Sequence, residues 1–427
     1  MRAGRPVEGN EADGEEQKNM GKIVAICISE KKGTQKHKVG EAEFVEDWGI
    51  RGDAHAGKWH RQVSLLSRDR IEEFRARGAQ VEDGAFGENL VVEGFDFASM
   101  PVGCRFRCGD VVLELTQIGK ECHHGCAIFQ KMGDCIMPRE GVFAKVLHGS
   151  VIREGDEVVR VPSIFETHAH YDDEAFDGDR DTLLVSMQEQ GIGTIVNVCA
   201  AIDGLDKTIA LTEKYPFVYG AVGVHPDDAE NMTEETLAEI RKLSRLPKVL
   251  AIGEIGLDYY WHKEDREHEI QKKMFRVQME IAREERLPFM IHSREAAKDT
   301  LDIVREFMEG GMYGGIIHCF SYGKEIAQEY LKMGLYLGIG GVVTFKNAKK
   351  LKEVVETAPL EQIVLETDSP YLSPEPNRGK RNSSLNLPYV AAQIAEIKKA
   401  TPEEVIRVTR ENAEKLLFCR QKNLKKI

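Results

Sequence analysis

Six residues able to bind a metal or move a proton recur at the ends of apolar, strand-like runs in the second half of the chain. His168 and His170 end SIFETHAH, Glu254 lies in VLAIGEIGLD and His292 is in PFMIHS. His318 lies in GGIIHCF, and Asp368 falls near the end of QIVLETDSP. Imidazole and carboxylate together suit Zn²⁺, Mn²⁺ or Mg²⁺. Residues i and i+2 of a strand face the same way, so His168 and His170 can grip one ion together. Four histidines and two carboxylates are more than one tetrahedral site uses, which points to two divalent ions bridged by a carboxylate. Such a pair lowers the pKa of a bound water and stabilises charge on a phosphoryl oxygen. A basic set, Arg294 with Arg378, Lys380 and Arg381, suits an anionic substrate through charge-assisted donors. Each residue alone has a plainer reading: a lone histidine is usually hydrogen-bonded structure, and Arg378–Arg381 reads by composition as a solvated loop. Their joint placement argues for a site. His225, in GVHP, is a candidate to touch the ligands from outside, whereas His262 and His268 read as ordinary.

Eight such runs alternate with helical patterns from residue 162 onward. Examples are Ile270–Glu285, where Met274, Val277, Gln278 and Ile281 trace one stripe, and Glu325–Met333. Eight strands alternating with helices predict an α/β TIM-type (β/α)₈ barrel, whose C-terminal strand ends converge on one rim. Before residue 160 the runs are short, β-type and punctuated by glycine, with one helical stretch at Arg68–Arg77, so a mostly-β barrel or sandwich is expected. Val161-Pro162-Ser163 reads as the seam between the two. Residues 1–20 are polar and acidic with no apolar signal core, and are expected to be a disordered leader, with Met20 as a possible start.

The chain has 427 residues, 42% of them hydrophobic, and a formal net charge of −13. Both halves are net acidic, without the broad basic footprint that holds long duplex nucleic acid; a short or single-stranded substrate gripped locally stays open. No apolar run approaches the roughly 18 residues of a membrane span. Nine cysteines without a secretory signal argue against a disulfide framework and for a cytoplasmic protein.

The motifs ETHAHYDD, GVHPDDAE, GEIGLDYY, IHSREA, IHCFSY and ETDSPYLSPEPNRGKRN resemble, in order over residues 163–418, those of TatD-family metal-dependent hydrolases. The resemblance implies a barrel of the amidohydrolase-like group, with members that act as metal-dependent DNases and 3′–5′ exonucleases. It implies that His168, His170 and Asp368 serve one ion, that His292 and His318 serve the other, and that Glu254 bridges them. Asp368 is then the expected general base, and DNA or short single-stranded nucleic acid the expected substrate. The likeness of Arg378–Arg381 to the family's RGKRN segment favours phosphodiester over amide hydrolysis. The chain departs from the pattern at Glu166, where Asp is usual, and at Asp227, where His is frequent.

In the first half, GIRGDAHAGKWHRQVSLLS, FGENLVVEG, GDVVLELTQIGKECHHGCAIF and GVFAKVLHGSVIREGDEVV resemble a MOSC domain over residues 21–160. That resemblance implies binding of molybdenum cofactor, or sulfur relay through a cysteine in contact with a sulfur-donor partner. Cys122 is the residue carried over, although the Arg and Pro of the usual Gln-x-Arg-x-Pro-Cys segment are lacking. A thiolate suits molybdenum and persulfide chemistry, and Lys120, His123 and His124 would favour it. Cys122, Cys126 and Cys135 with the two histidines also allow a zinc reading, at an unusual spacing. The expectation is a MOSC-like module (21–160) fused to a TatD-like hydrolase (163–420). The alternative is a cofactor-binding or sulfur-transfer protein whose barrel hydrolyses a small phosphoester or amide in the same pathway.

Overall fold

The computed structural model describes residues 20–100, 104–120, 127–161 and 163–418. The expected leader and the segment carrying Cys122, His123, His124 and Cys126 lie outside the described residues. The chain divides into two compact units after Val161.

In the first unit a sheet runs through Glu157–Val161, Arg105–Cys108, Val111–Ile118, Val142–His148, Val63–Ser67, Leu90–Glu93 and Met20–Ile28. It closes because Glu157–Val161 pairs with both Arg105–Cys108 and Met20–Ile28. Alternation within the strands builds two cores. Val63, Leu65, Leu90 and Val92 face the barrel interior. Leu66 and Val91 face outward beneath the helix Arg68–Ala76, which contributes Ile71 and Phe74. Polar groups hold the connecting loops. Asp53 is buried against Lys36 at 2.6 Å and accepts the Ser29 backbone N–H at 3.0 Å. Glu88, fully buried, accepts the N–H groups of Gly84 (2.7 Å) and Phe86 (3.0 Å). Gly84 has φ +89°, and a Cβ there would lie 2.5 Å from the Lys36 carbonyl oxygen, so glycine is required.

The second unit is an eight-stranded parallel sheet in sequence order. Its strands are Ile164–Ala169, Ile192–Val198, Val218–Val222, Val249–Asp258, Phe289–Arg294, Gly315–Ile317, Tyr336–Ile339 and Ile363–Leu365. Helices intervene, as the periodicity predicts. The long one is Asp265–Glu285, five residues longer at its start than the apolar stripe, because a Glu264–Glu267 capping box rather than apolar spacing sets its first turn. Apolar side chains alternate between an outer layer under the helices (Ile195, Val218) and an inner cluster (Phe165, Val196, Tyr219, Met290). The last helix, Pro402–Leu417, sends Leu416, Leu417 and the following Phe418 into the inner cluster, with the Phe418 ring 5.0 Å from Tyr219 and 5.9 Å from Phe165. The barrel interior is therefore a packed core, and polar chemistry is left to the C-terminal strand ends.

Several strands stop short of their apolar runs. The sixth ends at Ile317 and the eighth at Leu365, leaving His318 and Asp368 on the turns beyond. Cys319 (φ 44°) and Asp368 (φ 59°) take the left-handed region there. First and last strands are joined by Asp368 N–H to the His168 carbonyl (2.9 Å) and His170 N–H to the Ser369 carbonyl (2.8 Å). Glu166 fastens the same seam. Its Oε1 accepts the backbone N–H groups of His168 (3.1 Å) and Thr367 (2.9 Å), and its Oε2 accepts the hydroxyls of Thr367 (2.6 Å) and Ser384 (2.9 Å). Burial pushes its carboxyl up to about 8, against those bonds.

Two outcomes follow. Glu166→Ala leaves up to four buried donors without an acceptor and should cost about 3 kcal/mol or more in urea unfolding. Glu166→Gln can keep its carbonyl on the two N–H groups and turn its amide to the two hydroxyls, so it should cost far less. A carboxyl whose pKa rises on folding takes up a proton, so the stability it contributes falls as pH rises from its ordinary 4.5 to about 8. Glu166→Gln should flatten that slope, and unfolding midpoints across this range measure it.

Candidate metal centre

All six rim residues read from the sequence meet around one carboxylate. Glu254, 3% exposed, lies within the fourth strand, four residues before its end rather than at the end as the sequence suggests, and among five histidines. Its Oε2 is 3.3 Å from His168 Nε2 and 3.7 Å from His170 Nε2. Its Oε1 is 2.9 Å from His292 Nδ1, 3.7 Å from His318 Nε2 and 3.9 Å from His225 Nε2. Asp368 Oδ1 approaches His170 Nε2 at 3.2 Å and His318 Nε2 at 3.5 Å. His168 and His318 stack at 3.4 Å between centroids. Three groupings share the rim: His168–His170–Asp368, His168–Glu254–His318, and His225–Glu254–His292. His225 thus stands inside the cluster, where the sequence placed it only as an outer contact.

The donor set fits divalent ions. His168 Nε2 and His170 Nε2 face each other at 3.3 Å, an arrangement that suits a shared cation better than two protons. Three of the five rings turn one nitrogen inward and rest the other against an acceptor, which is how ligating histidines are oriented. His170 Nδ1 lies 2.7 Å from the Val198 carbonyl and His292 Nε2 3.3 Å from Asp258 Oδ2. His318 Nδ1 lies 3.2 Å from Glu366 Oε2, whereas His225 Nδ1 accepts the Asp227 backbone N–H at 3.2 Å. Asp258 and Glu366 escaped the sequence reading. Asp258 lies four residues along the same strand from Glu254, so the period-two rule could have found it; Glu366 lies beyond the end of the eighth strand, where no strand period applies.

Charge state follows from this crowding. Burial works against the protonated form of His170, but the Asp368 hydrogen bond and charge carry it up to about 10. Burial likewise opposes His292 and His318, and Asp258, Glu254 and Glu366 carry both up to about 9. Burial, with the charge of His318, pushes His168 down to about 4. Burial favours the neutral form of Glu254, yet the surrounding His168 and His318 hold it well below the ordinary carboxylate range.

The basic residues differ in availability. Arg381 is engaged: its guanidinium bonds Asp179 at 2.8 and 2.6 Å and the Ala175 carbonyl at 2.7 Å. Arg378 lies over Phe345 at 4.2 Å with Glu375 at 3.9 Å, and Lys380 is exposed. Arg294 ends the fifth strand, exposed, over the Tyr260 ring at 4.0 Å.

The first unit holds a cavity of about 810 Å³ lined in part by Lys36, His55, Trp59, Arg61, Lys120 and Cys135. Arg61 Nε is buried and makes no hydrogen bond among the described residues. Cys27 and Cys108 are buried thiols pushed up to about 12 by that burial, and so are inert. Cys122 lies outside the described residues.

A β/α barrel carrying histidines and carboxylates on its C-terminal rim defines the class of metal-dependent barrel hydrolases. The chain belongs to the TatD-related DNase family, whose model matches residues 165–418. A MOSC-domain model matches residues 52–159. The uncharacterized metal-dependent hydrolase YabD of Bacillus subtilis is 46% identical over 254 residues, covering 59% of this chain and 98% of that protein. The uncharacterized metal-dependent hydrolase TatD of Mycobacterium tuberculosis is 35% identical, covering 55% and 90%. The structure of YJJV, a TatD homologue from Escherichia coli K12, superposes with a TM-score of 0.56 at 27% identity, covering 60% of this chain and 97% of that one.

Protonated His170, His292 and His318 must lose their protons to bind an ion, so loading should release protons and apparent affinity should rise with pH up to about 9–10. Titration calorimetry in buffers of different ionisation enthalpy reads the proton count directly. Asp258→Asn, which weakens the acceptor behind His292, should lower affinity for one ion about 10–100-fold. Metal content after dialysis against graded chelator checks it.

Proposed function

We propose that the barrel is a metal-dependent phosphodiesterase of the nuclease type, acting on DNA or short single-stranded nucleic acid, in the manner of a 3′–5′ exonuclease. The observation that carries the reading is the division of histidines between the two oxygens of Glu254. His168 and His170 flank Oε2, while His292, His318 and His225 flank Oε1. That division suits a carboxylate bridging two sites: His168, His170 and Asp368 for one ion, His292 and His318 with His225 beside them for the other. Two divalent ions (Mg²⁺, Mn²⁺ or Zn²⁺) would supply water activation and charge stabilisation on the phosphoryl group. Asp368, held ionised against burial by His318 and His170, takes the proton of the attacking water. Arg294 is the basic group best placed to meet the substrate phosphate; Lys380 and Arg378 supply further charge, and Arg381 secures the loop that carries them through Asp179.

For the first unit the proposal is a module that binds molybdenum cofactor or relays sulfur through Cys122. A cavity of about 810 Å³ falls within the usual size of small-molecule sites. The cationic Arg61 and Lys120, with Trp59, fit an anionic ligand bearing a planar ring, while Lys36 is neutralised by Asp53. Under the second reading the barrel acts on a small phosphoester or amide of the same pathway. The large cationic cavity in the first unit is the observation that favours it.

With Mg²⁺ or Mn²⁺, a labelled single-stranded oligonucleotide should be shortened from its 3′ end. Asp368→Asn should slow this about 10²–10⁴-fold, and Glu254→Gln should abolish it together with stoichiometric metal binding. Full metal occupancy without cleavage above these variants would overturn the nuclease reading. Protein purified with a bound pterin that Cys122→Ser loses would support the cofactor module, and protein that binds none would count against it.

A further inference from the structure

Three aromatic residues follow the fourth strand, and the fold treats them differently. Tyr259 is pinned: its N–H bonds the Arg294 carbonyl at 2.9 Å, its hydroxyl bonds Asp299 at 2.8 Å, and its ring stacks on His268 at 3.7 Å. Tyr260 and Trp261 turn to solvent, 39% and 65% exposed. A singly exposed aromatic needs no explanation, but this pair is neither isolated nor loosely held. Both backbone N–H groups donate to Asp258 Oδ1, at 2.8 and 2.9 Å. The other oxygen of that carboxylate lies 3.3 Å from His292 Nε2. One side chain therefore ties the aromatic turn to the metal centre.

A cation completes the patch. The Arg294 guanidinium lies 4.0 Å from the Tyr260 ring and 5.6 Å from the Trp261 ring. It is exposed and forms no ion pair with a carboxylate among the described residues, whereas Arg245 and Arg381 are paired with Glu285 and Asp179. In a chain of net charge −13 an uncompensated guanidinium beside the rim is conspicuous. A ligand that answers both features must bring a flat ring and a negative charge to within one strand end of the metal centre. A nucleotide unit with its base unstacked does so, because base faces are open only in single strands and every base has one.

We infer that Trp261, Tyr260 and Arg294 form a stacking platform for the unpaired base next to the scissile phosphate. This makes the barrel selective for single-stranded ends and tolerant of base sequence, and it rests on the phosphodiesterase reading above. The open Trp261 face takes the base, Tyr260 meets Trp261 edge-on at 82° and carries Arg294 over its own ring, and Arg294 takes the adjoining phosphate.

The test uses the full chain with two readouts. Intrinsic fluorescence follows binding of an oligothymidylate by metal-free protein, Trp261 being one of three tryptophans. Hydrolysis in Mn²⁺ is measured on the same oligonucleotide and on one with an abasic 3′ residue. Wild type should show quenching that Trp261→Phe lacks. Trp261→Ala should weaken binding and raise KM about ten-fold or more, with Trp261→Phe between. Wild type and Trp261→Ala should converge on the abasic substrate, because the base they differ over is gone. Equal KM for wild type and Trp261→Ala, or no preference of wild type for the base over the abasic end, would overturn the platform while leaving the nuclease reading intact. Quenching and weakened Trp261→Ala binding without hydrolysis would support the platform and overturn the nuclease reading. Absence of any oligonucleotide binding would overturn both.

Discussion

The barrel's rim depends on keeping one carboxylate charged inside the fold. Glu254 is buried among His168, His170, His225, His292 and His318, and a buried charge is tolerated only where partners compensate it. Those partners come from strand ends that are up to 150 residues apart in order of sequence, so the compensation exists only when the sheet is closed in register. Crowding of this kind is poor material for stability. It is good material for holding cations, since ions can replace the protons that the imidazoles otherwise carry.

Around that centre sits a layer of groups that never face the rim. Val198, Asp258 and Glu366 rest against the outer nitrogens of three histidines. Space for them is built into neighbouring strands: a Cβ at Gly338 would fall 2.1 Å from Glu366 Oε2. Glu166 stands behind His168 and ties its strand to Thr367 and Ser384. The departure from the family's usual Asp therefore falls on a residue that holds the seam shut rather than on a ligand.

The barrel was legible because its strands are apolar throughout and its helices are striped, and because ligand-type residues break that pattern at fixed places. What escaped was every residue whose role is relative. Asp258 and Glu366 look like ordinary acidic residues until His292 and His318 are placed beside them. Arg381 reads as a free phosphate binder until Asp179, 202 residues earlier, claims it. In the first unit, Asp53 and Glu88 hold loops by hydrogen bonds.

Composition and periodicity by themselves determined the alternation of strand and helix, the change of character near residue 160, and the set of side chains able to bind a metal. These follow from local rules: the two-residue period of strands, the 3.6-residue period of helices, and the chemistry of imidazole and carboxylate. Only the tertiary structure decided that five histidines share one carboxylate, that Asp258 serves both His292 and the Tyr260–Trp261 turn, and that Arg294 rather than Arg381 is left uncompensated. Those are distances between residues far apart in the chain, and barrel closure, which no local pattern encodes, is what sets them.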